Sequence, residues 1–395
     1  MIDQIIGPVG RQAFLANYFE KKPLIQKSAS KLHSLFSIRD FDRYLIAGEG
    51  SLHNFVRISK NGATINIPTY NGQAITQREF ILEQFKTGAT LKLEELDARH
   101  PKISILCKQL EQIFGGYAFA KPFLTGANFK GLPAHFDTTE VFVVQLEGRK
   151  SWKVWEKLVE NPTLPMQRSL VEDELLAPEI EVVLEKGDIL YIPAGTPHVA
   201  KCLDDYSLHM AFGLQPIKIF EVLEGFIRLM SEHVGDLRKN VFPFSEQTTL
   251  EKLTKDLLKR MAGVPFEEIL SDFEIAYNAT KHEISDERLA SLVHAHNINS
   301  QTHLQVRLGA NLRIRENEDG EHISVYFSST IHPGKPLVST PSSLSLPAFC
   351  RDEVESICAK NYEVFTPVSL AGKLNDESKV TLCRELVNFG IIFLV

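Results

Sequence analysis

Two histidines and one aspartate have the residue types and spacing that could do chemistry. His135 and Asp137 are two positions apart, so on an extended backbone both side chains leave the same face. His198 ends a Gly-Asp-strand-Pro-X-Gly-X-Pro-His pattern over residues 187–198. Two imidazoles and one carboxylate form the ligand set of mononuclear non-haem iron(II) oxygenases, which leaves the opposite face of the metal open. The three residues therefore predict a mononuclear iron(II) site.

The sequence around these residues makes the signal more specific. A His-X-Asp pattern alone often arises by chance, but here a Gly-Leu-Pro-Ala stretch precedes it at 131–134. A short predicted strand and a Pro-Ala-Gly-Thr-Pro turn at 193–197 can bring His198 back toward the pair. The alternative is that both histidines are ordinary polar residues of a β domain, and the combined context argues against it.

Lys150 is the next candidate for chemistry. It begins a strand that we expect to pair with the strand after Asp137, through a turn at 147–149. A buried cation without an acidic partner is costly, so an inward-facing Lys150 would imply an anionic ligand. The alternative, an exposed strand lysine, is what the local sequence alone favours.

The elements that must position these residues are short strands. Strands and Gly/Pro turns between 117 and 215 predict a β-sandwich or jelly roll, with Trp152 in its core. The predicted strands lie at 141–146, 150–155, 180–184, 189–192 and 207–214. Helical patterns precede them within residues 1–50, including 12–20, and from about 85 to 120.

The sequence after 216 is mostly helical. Amphipathic helices are predicted at 219–230, 249–261 and 265–279, and their apolar stripes (Leu223, Phe226, Ile227, Met230; Leu253, Leu257, Leu258) predict a homodimer interface. Packing of the stripes against the chain's own jelly roll is the alternative. A strand pair (304–314, 322–327), helices near 351–360 and 376–388 and a terminal strand at 390–395 fit a small winged-helix module. The predicted domains are 1–215, 216–288 and 289–395.

Composition restricts the class of protein. The 395-residue chain has a net charge of −7, which argues against direct binding to nucleic acid. We expect no membrane span and no signal peptide, because neither a long apolar run nor a basic, apolar N-terminus is present. Five scattered cysteines are typical of reduced thiols, so a cytoplasmic location is predicted.

The sequence resembles a known family along most of its length. The stretches that carry the resemblance are residues 14–24, 131–137, 140–152 and 187–198. They are similar to the JmjC-type ribosomal oxygenases, which are iron(II)- and 2-oxoglutarate-dependent protein hydroxylases. The resemblance implies an α+β protein: a double-stranded β-helix (jelly roll) of the JmjC/cupin type, a helical dimerisation domain and a C-terminal winged-helix-like domain.

The resemblance also implies roles for individual residues. His135, Asp137 and His198 would hold Fe(II), and Lys150 would bind the distal carboxylate of the co-substrate 2-oxoglutarate. Residues implied to line the co-substrate pocket are Ser207, His209 and Asn128. One departure is Phe123, which stands where family members often carry a tyrosine.

The function implied is hydroxylation of a residue in a protein, with a basic ribosomal protein as the expected substrate and partner. A chain that is itself acidic would meet basic ribosomal proteins readily. Lysyl demethylation and tailoring of a small peptide or metabolite use the same core and stay open. A catalytically silent cupin that only binds its ligand is the non-enzymatic alternative.

Overall fold

The structure is a computed structural model of the whole chain. It describes residues 2–27, 31–69, 75–127, 129, 131–233, 235–238, 247–261, 270, 273, 275, 288–327, 342–360 and 363–395. The chain forms two compact units, Met1–Pro216 and Ile217–Val395.

The first unit combines helices with short strands. Its helices are α1 (Ile2–Ile6), α2 (Arg11–Asn17), α3 (Ile38–Ala47), α4 (Leu52–Phe55), α5 (Gln77–Lys86) and α6 (Pro101–Phe114). Its strands are β1 (Leu24–Gln26), β2 (Val56–Lys60), β3 (Ala63–Ile65), β4 (Thr90–Leu93), β5 (Tyr117–Gly126), β6 (Glu140–Glu147), β7 (Lys150–Val154), β8 (Ile180–Leu184), β9 (Ile189–Ile192), β10 (His198–Cys202) and β11 (Tyr206–Gln215).

These strands form two antiparallel sheets. The larger sheet has the order β1-β9-β6-β11-β5-β4-β2-β3, and the smaller has the order β10-β7-β8. The longest pairing in the larger sheet joins β11 to β5, from Tyr206 opposite Gly126 to Gln215 opposite Tyr117. Two antiparallel sheets with this order are the jelly roll that the sequence predicts.

Alternation along β6 separates two cores. Phe142 and Val144 pack with the N-terminal helices in the main hydrophobic cluster. Val141 and Val143 point to the other side of the sheet and join Trp152, from the smaller sheet, in a second cluster. Because successive strand residues face opposite sides, one face of β6 is closed by helices and the other by the small sheet. The candidate site lies on the second side.

The expected pairing of Lys150's strand is wrong. We predicted a hairpin between β6 and β7, but β6 pairs with β9 and β11, whereas β7 pairs with β10 and β8. Gly148, with φ 65°, turns the chain from one sheet to the other, and a Cβ there would lie 2.1 Å from the Tyr206 carbonyl oxygen. The same Gly signal serves a hairpin or a crossing between sheets, so the sequence did not distinguish them.

The helical prediction over 85–120 is also wrong in part. β4 lies between α5 and α6 and extends the larger sheet next to β5. The predicted strands at 180–184 and 189–192 agree with β8 and β9, and the one at 207–214 agrees with β11 to within one residue at each end.

The second unit contains helices and two small sheets. Its helices are α7 (Ile219–His233), α8 (Gln247–Met261), α9 (Arg288–His294), α10 (Arg351–Ala359) and α11 (Asp376–Asn388). Its strands are β12 (Leu304–Val306), β13 (Arg313–Glu316), β14 (His322–Phe327), β15 (Ser342–Pro347) and β16 (Ile392–Leu394).

The strand pair predicted in this unit needs correction. Residues 304–314 do not form one strand, because β12 pairs with the terminal strand β16 and β13 pairs with β14. β13, β14 and β15 make a three-stranded sheet, where we expected two strands. The helix predicted at 265–279 lies largely outside the described residues. Within the described parts of the chain, no helix is both long and apolar enough to span a membrane.

Candidate metal centre

His135 and His198 are brought together by their backbones. The amide of His135 donates to the carbonyl oxygen of His198 at 3.2 Å, and the amide of His198 donates to that of His135 at 2.8 Å. This isolated antiparallel bridge sets the two imidazole centroids 4.5 Å apart. The pairing explains how residues so far apart in the sequence reach one point.

Asp137 completes the set of candidate metal-binding residues. We call His135, Asp137 and His198 together the metal cluster. Its carboxylate oxygens lie 3.8 Å from the His135 Nε2 and 3.7 Å from the His198 Nε2. The potential ligand atoms of the three residues all lie within 4.8 Å of one another. That spacing, with two imidazole nitrogens and one carboxylate, suits a single divalent transition metal.

Hydrogen bonds determine which imidazole nitrogens are available. The His135 Nδ1 lies 2.9 Å from the Pro133 carbonyl oxygen, and the His198 Nδ1 lies 3.0 Å from that of Thr196. A carbonyl oxygen only accepts, so each Nδ1 carries a proton, and in the neutral imidazole the lone pair for a metal then lies on Nε2. Burial, together with the neighbouring His135, lowers the pKa of His198 to about 4, so this imidazole is neutral at pH 7.

The turn before His198 is held by a buried carboxylate. Glu140 accepts a hydrogen bond from the Ala194 amide at 3.1 Å and another from the Tyr191 hydroxyl. Burial raises the pKa of Glu140. The next residue, Gly195, has φ 79° and donates its amide to the Asp137 carbonyl oxygen at 2.8 Å. The turn therefore positions two members of the metal cluster: His198, which directly follows it, and Asp137, whose carbonyl oxygen it binds.

Lys150 lies in the same cavity as the metal cluster. It is 2% exposed, and its Nζ lies 3.2 Å from the Thr125 hydroxyl and 3.4 Å from the His209 Nδ1. Thr125 in turn lies 3.1 Å from the Thr90 hydroxyl. Burial lowers the pKa of Lys150 to about 8. Among the described residues no carboxylate bonds to this ammonium group, so its surroundings are suited to an incoming anion.

The cavity lies between the two sheets of the jelly roll. Residues that line it include the three cluster residues together with Thr90, Phe123, Val143, Lys150, Trp152 and His209. His209 stacks on Phe123 with ring centroids 5.0 Å apart, and burial holds the pKa of His209 well below its usual value. Because Lys150 can only donate, the His209 Nδ1 accepts and its Nε2 carries the proton.

Of the implied pocket residues, one does not line the cavity and another cannot be placed. Ser207 is fully buried, accepts a hydrogen bond from the Gln145 side chain at 2.8 Å, and is not among the cavity-lining residues. Asn128 lies outside the described residues.

Sequence reasoning missed three residues in or beside the cavity: Thr90 and Trp152 line it, and Thr125 contacts Lys150. Thr90 lies in a stretch that we predicted to be helical, so its inward position in a strand was hidden. Thr125 had no signal beyond a strand-forming context. Trp152 was predicted as core, and it is both: it packs between the sheets and lines the cavity.

A wider groove adjoins the cavity. It has a volume of about 410 Å³ and shares Gly131 and Leu132 with the cavity. Its other walls include Phe129, Pro133 and Leu170. The groove therefore opens beside the candidate metal cluster.

Fold and site together define the class: a jelly roll with a His-X-Asp…His metal cluster between its sheets. Comparison with known proteins shows what the chain is similar to. Residues 98–222 match the JmjC domain family. The chain is also similar to ribosomal oxygenases, the resemblance found in the sequence.

Two relatives and one solved structure show the extent of the similarity. Ribosomal oxygenase 1 of Danio rerio is 32% identical over 219 residues, covering 52% of this chain and 39% of that protein. Ribosomal oxygenase 1 of Homo sapiens is 30% identical over 261 residues, covering 64% and 38%. The chain therefore spans less than half the length of these relatives. The fold matches a ribosomal oxygenase from Escherichia coli with a TM-score of 0.59, 17% identity and 98% coverage of both chains.

Proposed function

We propose that this protein is an iron(II)- and 2-oxoglutarate-dependent oxygenase that hydroxylates a residue of a protein. One observation carries the proposal: a single cavity holds a His-Asp-His cluster and, in the same space, a buried lysine without an acidic partner among the described residues. The first feature suits a metal with open positions, and the second suits a small anion.

The metal would be held by the His135 Nε2, the His198 Nε2 and the Asp137 carboxylate. Bound iron(II), together with 2-oxoglutarate, supplies the oxidising chemistry that activates dioxygen. The carbonyl oxygens of Pro133 and Thr196 orient the two imidazoles, which prepares the site before metal arrives.

The co-substrate would be held at its distal carboxylate by Lys150. The Thr125 hydroxyl, 3.2 Å from the Lys150 Nζ, and the protonated His209 Nε2 add hydrogen-bond donors. Support comes from a solved structure of the Escherichia coli ribosomal oxygenase, which contains cobalt and 2-oxoglutarate and shares this fold with a TM-score of 0.56, 17% identity, and coverage of 98% of this chain and 99% of that one. Phe123 stacks on His209, so the ring is used for packing where family members often have a hydroxyl.

The substrate would be an extended, basic segment of a ribosomal protein. The groove beside the metal cluster, with a volume of about 410 Å³, has room for a side chain with its flanking backbone. The net charge of −7 favours encounter with basic proteins over nucleic acid. The names of the relatives, ribosomal oxygenases 1 and 2, support the same class of substrate. The free thiols of all five cysteines fit a cytoplasmic place of action.

The decisive experiment uses ribosomal proteins from the source organism. Incubated with the protein, Fe(II), ascorbate and 2-oxoglutarate, one of them should gain about 16 Da, the mass of one oxygen atom. The same reaction should release succinate, which a silent cupin would not do. No mass gain on any ribosomal protein, alongside turnover on an unrelated peptide, would refute the ribosomal substrate and leave the oxygenase chemistry standing.

Lysyl demethylation is the second candidate. A relative in Caenorhabditis elegans, 28% identical over 215 residues and matched over 52% of this chain and 28% of its own length, is named a bifunctional lysine-specific demethylase and histidyl-hydroxylase. Methylated lysine peptides should then lose about 14 Da per methyl group and release formaldehyde in the same assay. Absence of formaldehyde with any methylated peptide would dismiss this candidate.

We also propose that the helices after 216 form a homodimer interface. On α7, Ile219, Phe220, Leu223 and Ile227 are exposed, whereas Phe226 and Met230 of the predicted stripe are buried. These four exposed apolar side chains form more apolar surface than a linker between domains requires, which is typical of a protein interface. Light scattering should give twice the monomer mass of 44.5 kDa, and Leu223→Glu should return it to the monomer value. The monomer mass for the parent protein would contradict the proposal. We also propose that residues 289–395 form a winged-helix-like domain, as the resemblance implies.

A further inference from the structure

The three members of the metal cluster are supported in different ways. His135 and His198 each bond to a carbonyl oxygen two residues away, so their orientation is set locally. Asp137 bonds instead to a side chain thirty positions further along the chain: the Gln167 Nε2 donates to the Asp137 Oδ1 at 3.0 Å. Asp137 is also the most exposed of the three, with 31% of its side chain accessible against 18% and 8% for the histidines.

Gln167 lies on the connection between β7 and β8, residues 155–179, which is fastened to the metal cluster at several points. The Leu170 amide donates to the Ala134 carbonyl oxygen at 2.6 Å, and Ser169 forms an isolated bridge with His135. Leu170 also packs against a small apolar cluster that contains Ala134 and Trp155. The connection is therefore held beside the cluster by contacts that do not involve Gln167.

The first part of this connection is fastened to the turn before His198. The amides of Leu158 and Val159 donate to the Gly195 carbonyl oxygen at 2.9 and 3.2 Å. A Cβ at Gly195 would lie 1.8 Å from the Val159 carbonyl oxygen, so this close approach requires glycine. Gly195 itself donates to the Asp137 backbone. Both ends of the segment that carries Gln167 are thus positioned relative to the metal cluster.

The two oxygens of Asp137 are nearly equivalent with respect to the histidines. One lies 3.8 Å from His135 and the other 3.7 Å from His198, so the imidazoles alone do not select which oxygen binds a metal. A donor on Oδ1 restrains rotation of the carboxylate and assigns the two oxygens different partners. A neutral amide does this without neutralising the charge that a divalent metal requires.

We propose that Gln167 is a positioning residue that orients the Asp137 carboxylate for metal binding, through its amide N–H bond to Oδ1. The inference rests on the proposed function for the identity of the metal cluster. It predicts that loss of the amide donor weakens metal binding, since outer partners of metal ligands typically contribute about ten- to hundredfold in affinity.

The experiment measures cobalt(II) binding and does not depend on turnover. Anaerobic titration of the purified full-length protein gives the dissociation constant, and the visible absorption of bound cobalt(II) reports its coordination. Gln167→Ala should raise the dissociation constant about ten- to hundredfold and alter the spectrum. Met166→Ala, an exposed neighbour on the same segment, should change neither.

The isosteric variant Gln167→Glu separates hydrogen bonding from packing. Glutamate fills the same space but has no amide donor and would repel the Asp137 carboxylate, so its cobalt(II) spectrum should also differ from the parent's. Parental affinity and spectrum in either Gln167→Ala or Gln167→Glu would overturn the inference. His135→Ala provides the reference: if it too binds cobalt(II) like the parent, the metal centre itself is refuted, whereas loss in His135→Ala alone refutes only the role of Gln167.

Discussion

Both units of the molecule bury charged side chains, but the surroundings differ. In the second unit, Glu353 is fully buried and accepts the Leu374 amide at 2.8 Å, and buried Lys379 donates to the Leu370 carbonyl oxygen at 2.7 Å. Both hydrogen bonds fix the backbone of the segment that precedes α11. In the first unit, buried Lys150 and His209 point into a cavity that also contains the metal cluster. Burial of charge alone does not mark a functional site; convergence of buried polar groups on open space does.

The energetic consequence of the two arrangements is also different. In the second unit the charged groups satisfy backbone atoms that folding would otherwise leave unpaired, as the Glu353 Oε1 does for the Leu374 amide, although the Glu353 Oε2 is buried without a hydrogen-bond partner. Lys150 has only neutral partners among the described residues, and burial lowers its pKa to about 8. Its burial therefore costs stability in the empty protein and is offset only when an anion binds.

Removing a member of the metal cluster should abolish activity. In His135→Ala, one of three metal-binding groups is lost while the backbone bridge to His198 remains possible. Succinate formation from 2-oxoglutarate should fall to background in an assay with saturating Fe(II). The thermal midpoint of the metal-free protein serves as the control for folding. Turnover at the parental rate would show that the cluster does not hold the catalytic metal.

Removing the buried cation should weaken co-substrate binding strongly. Leaving a buried carboxylate without its cationic partner typically costs about 3–5 kcal/mol, which is roughly a hundred- to several-thousandfold in affinity. Lys150→Ala should therefore raise the dissociation constant for 2-oxoglutarate by that factor, measured by calorimetry in the presence of a redox-inert divalent metal. Metal affinity without 2-oxoglutarate should stay the same. An unchanged 2-oxoglutarate affinity would place the anion elsewhere.

The pH dependence of binding follows from the same lysine. Its pKa in the empty protein is lowered by burial from 10.5 to about 8, so below pH 8 it is protonated and can pair with a dianion. As pH rises above 8 the proton is lost, and the affinity for 2-oxoglutarate should fall by about tenfold per pH unit. Binding isotherms from pH 7 to pH 10 would measure the slope. A flat profile in the parent, or a sloping profile that persists in Lys150→Ala, would contradict this assignment.

The residues of the metal cluster could be predicted from the sequence because two local features indicate them: the spacing of His135 and Asp137, and the turn before His198. His135 and Asp137 depend on side-chain alternation, and the Pro-rich turn before His198 requires no knowledge of the sheet order. The depth of Lys150 did not follow from its own neighbours. It depends on β7 pairing with β10 in the small sheet, where we had expected a hairpin with β6. Long-range pairing decides that position, and a Gly turn signal does not encode it.

The remaining gaps have the same physical origin. Thr90 reached the cavity through β4, a four-residue strand too short to produce a periodic pattern against the helical residues around it. Gln167 lies on a connection without regular alternation, so nothing in its sequence neighbourhood predicts contact with Asp137. Contacts made by irregular segments depend on where the rest of the fold places their ends, which the sequence pattern does not report.

A change in the second unit should affect stability and leave the site intact. Glu353→Ala removes the acceptor of the Leu374 amide and should lower the free energy of unfolding of that unit by about 1–3 kcal/mol. Chemical denaturation followed by a probe in the second unit measures this, and Glu353→Gln, which keeps an acceptor oxygen, should lose less. The dissociation constant for 2-oxoglutarate should not change. A large loss of 2-oxoglutarate affinity in Glu353→Ala would show that the two sets of buried charges are coupled.

The smallest effect is expected at Arg149, the immediate neighbour of Lys150. The two residues have the same charge, but the Arg149 side chain is 53% exposed and pairs with Asp204 at 2.9 Å on the surface. Solvent screens such pairs, and a cation outside the cavity has no access to a bound anion. Arg149→Ala should therefore change the 2-oxoglutarate dissociation constant by less than about twofold at physiological salt. Measured beside Lys150→Ala, it separates the general effect of positive charge from the effect of position. Equal weakening of 2-oxoglutarate binding in both variants would show that the anion is attracted by the overall positive charge at this end of β7. Burial of the Lys150 charge would then make no difference to anion binding.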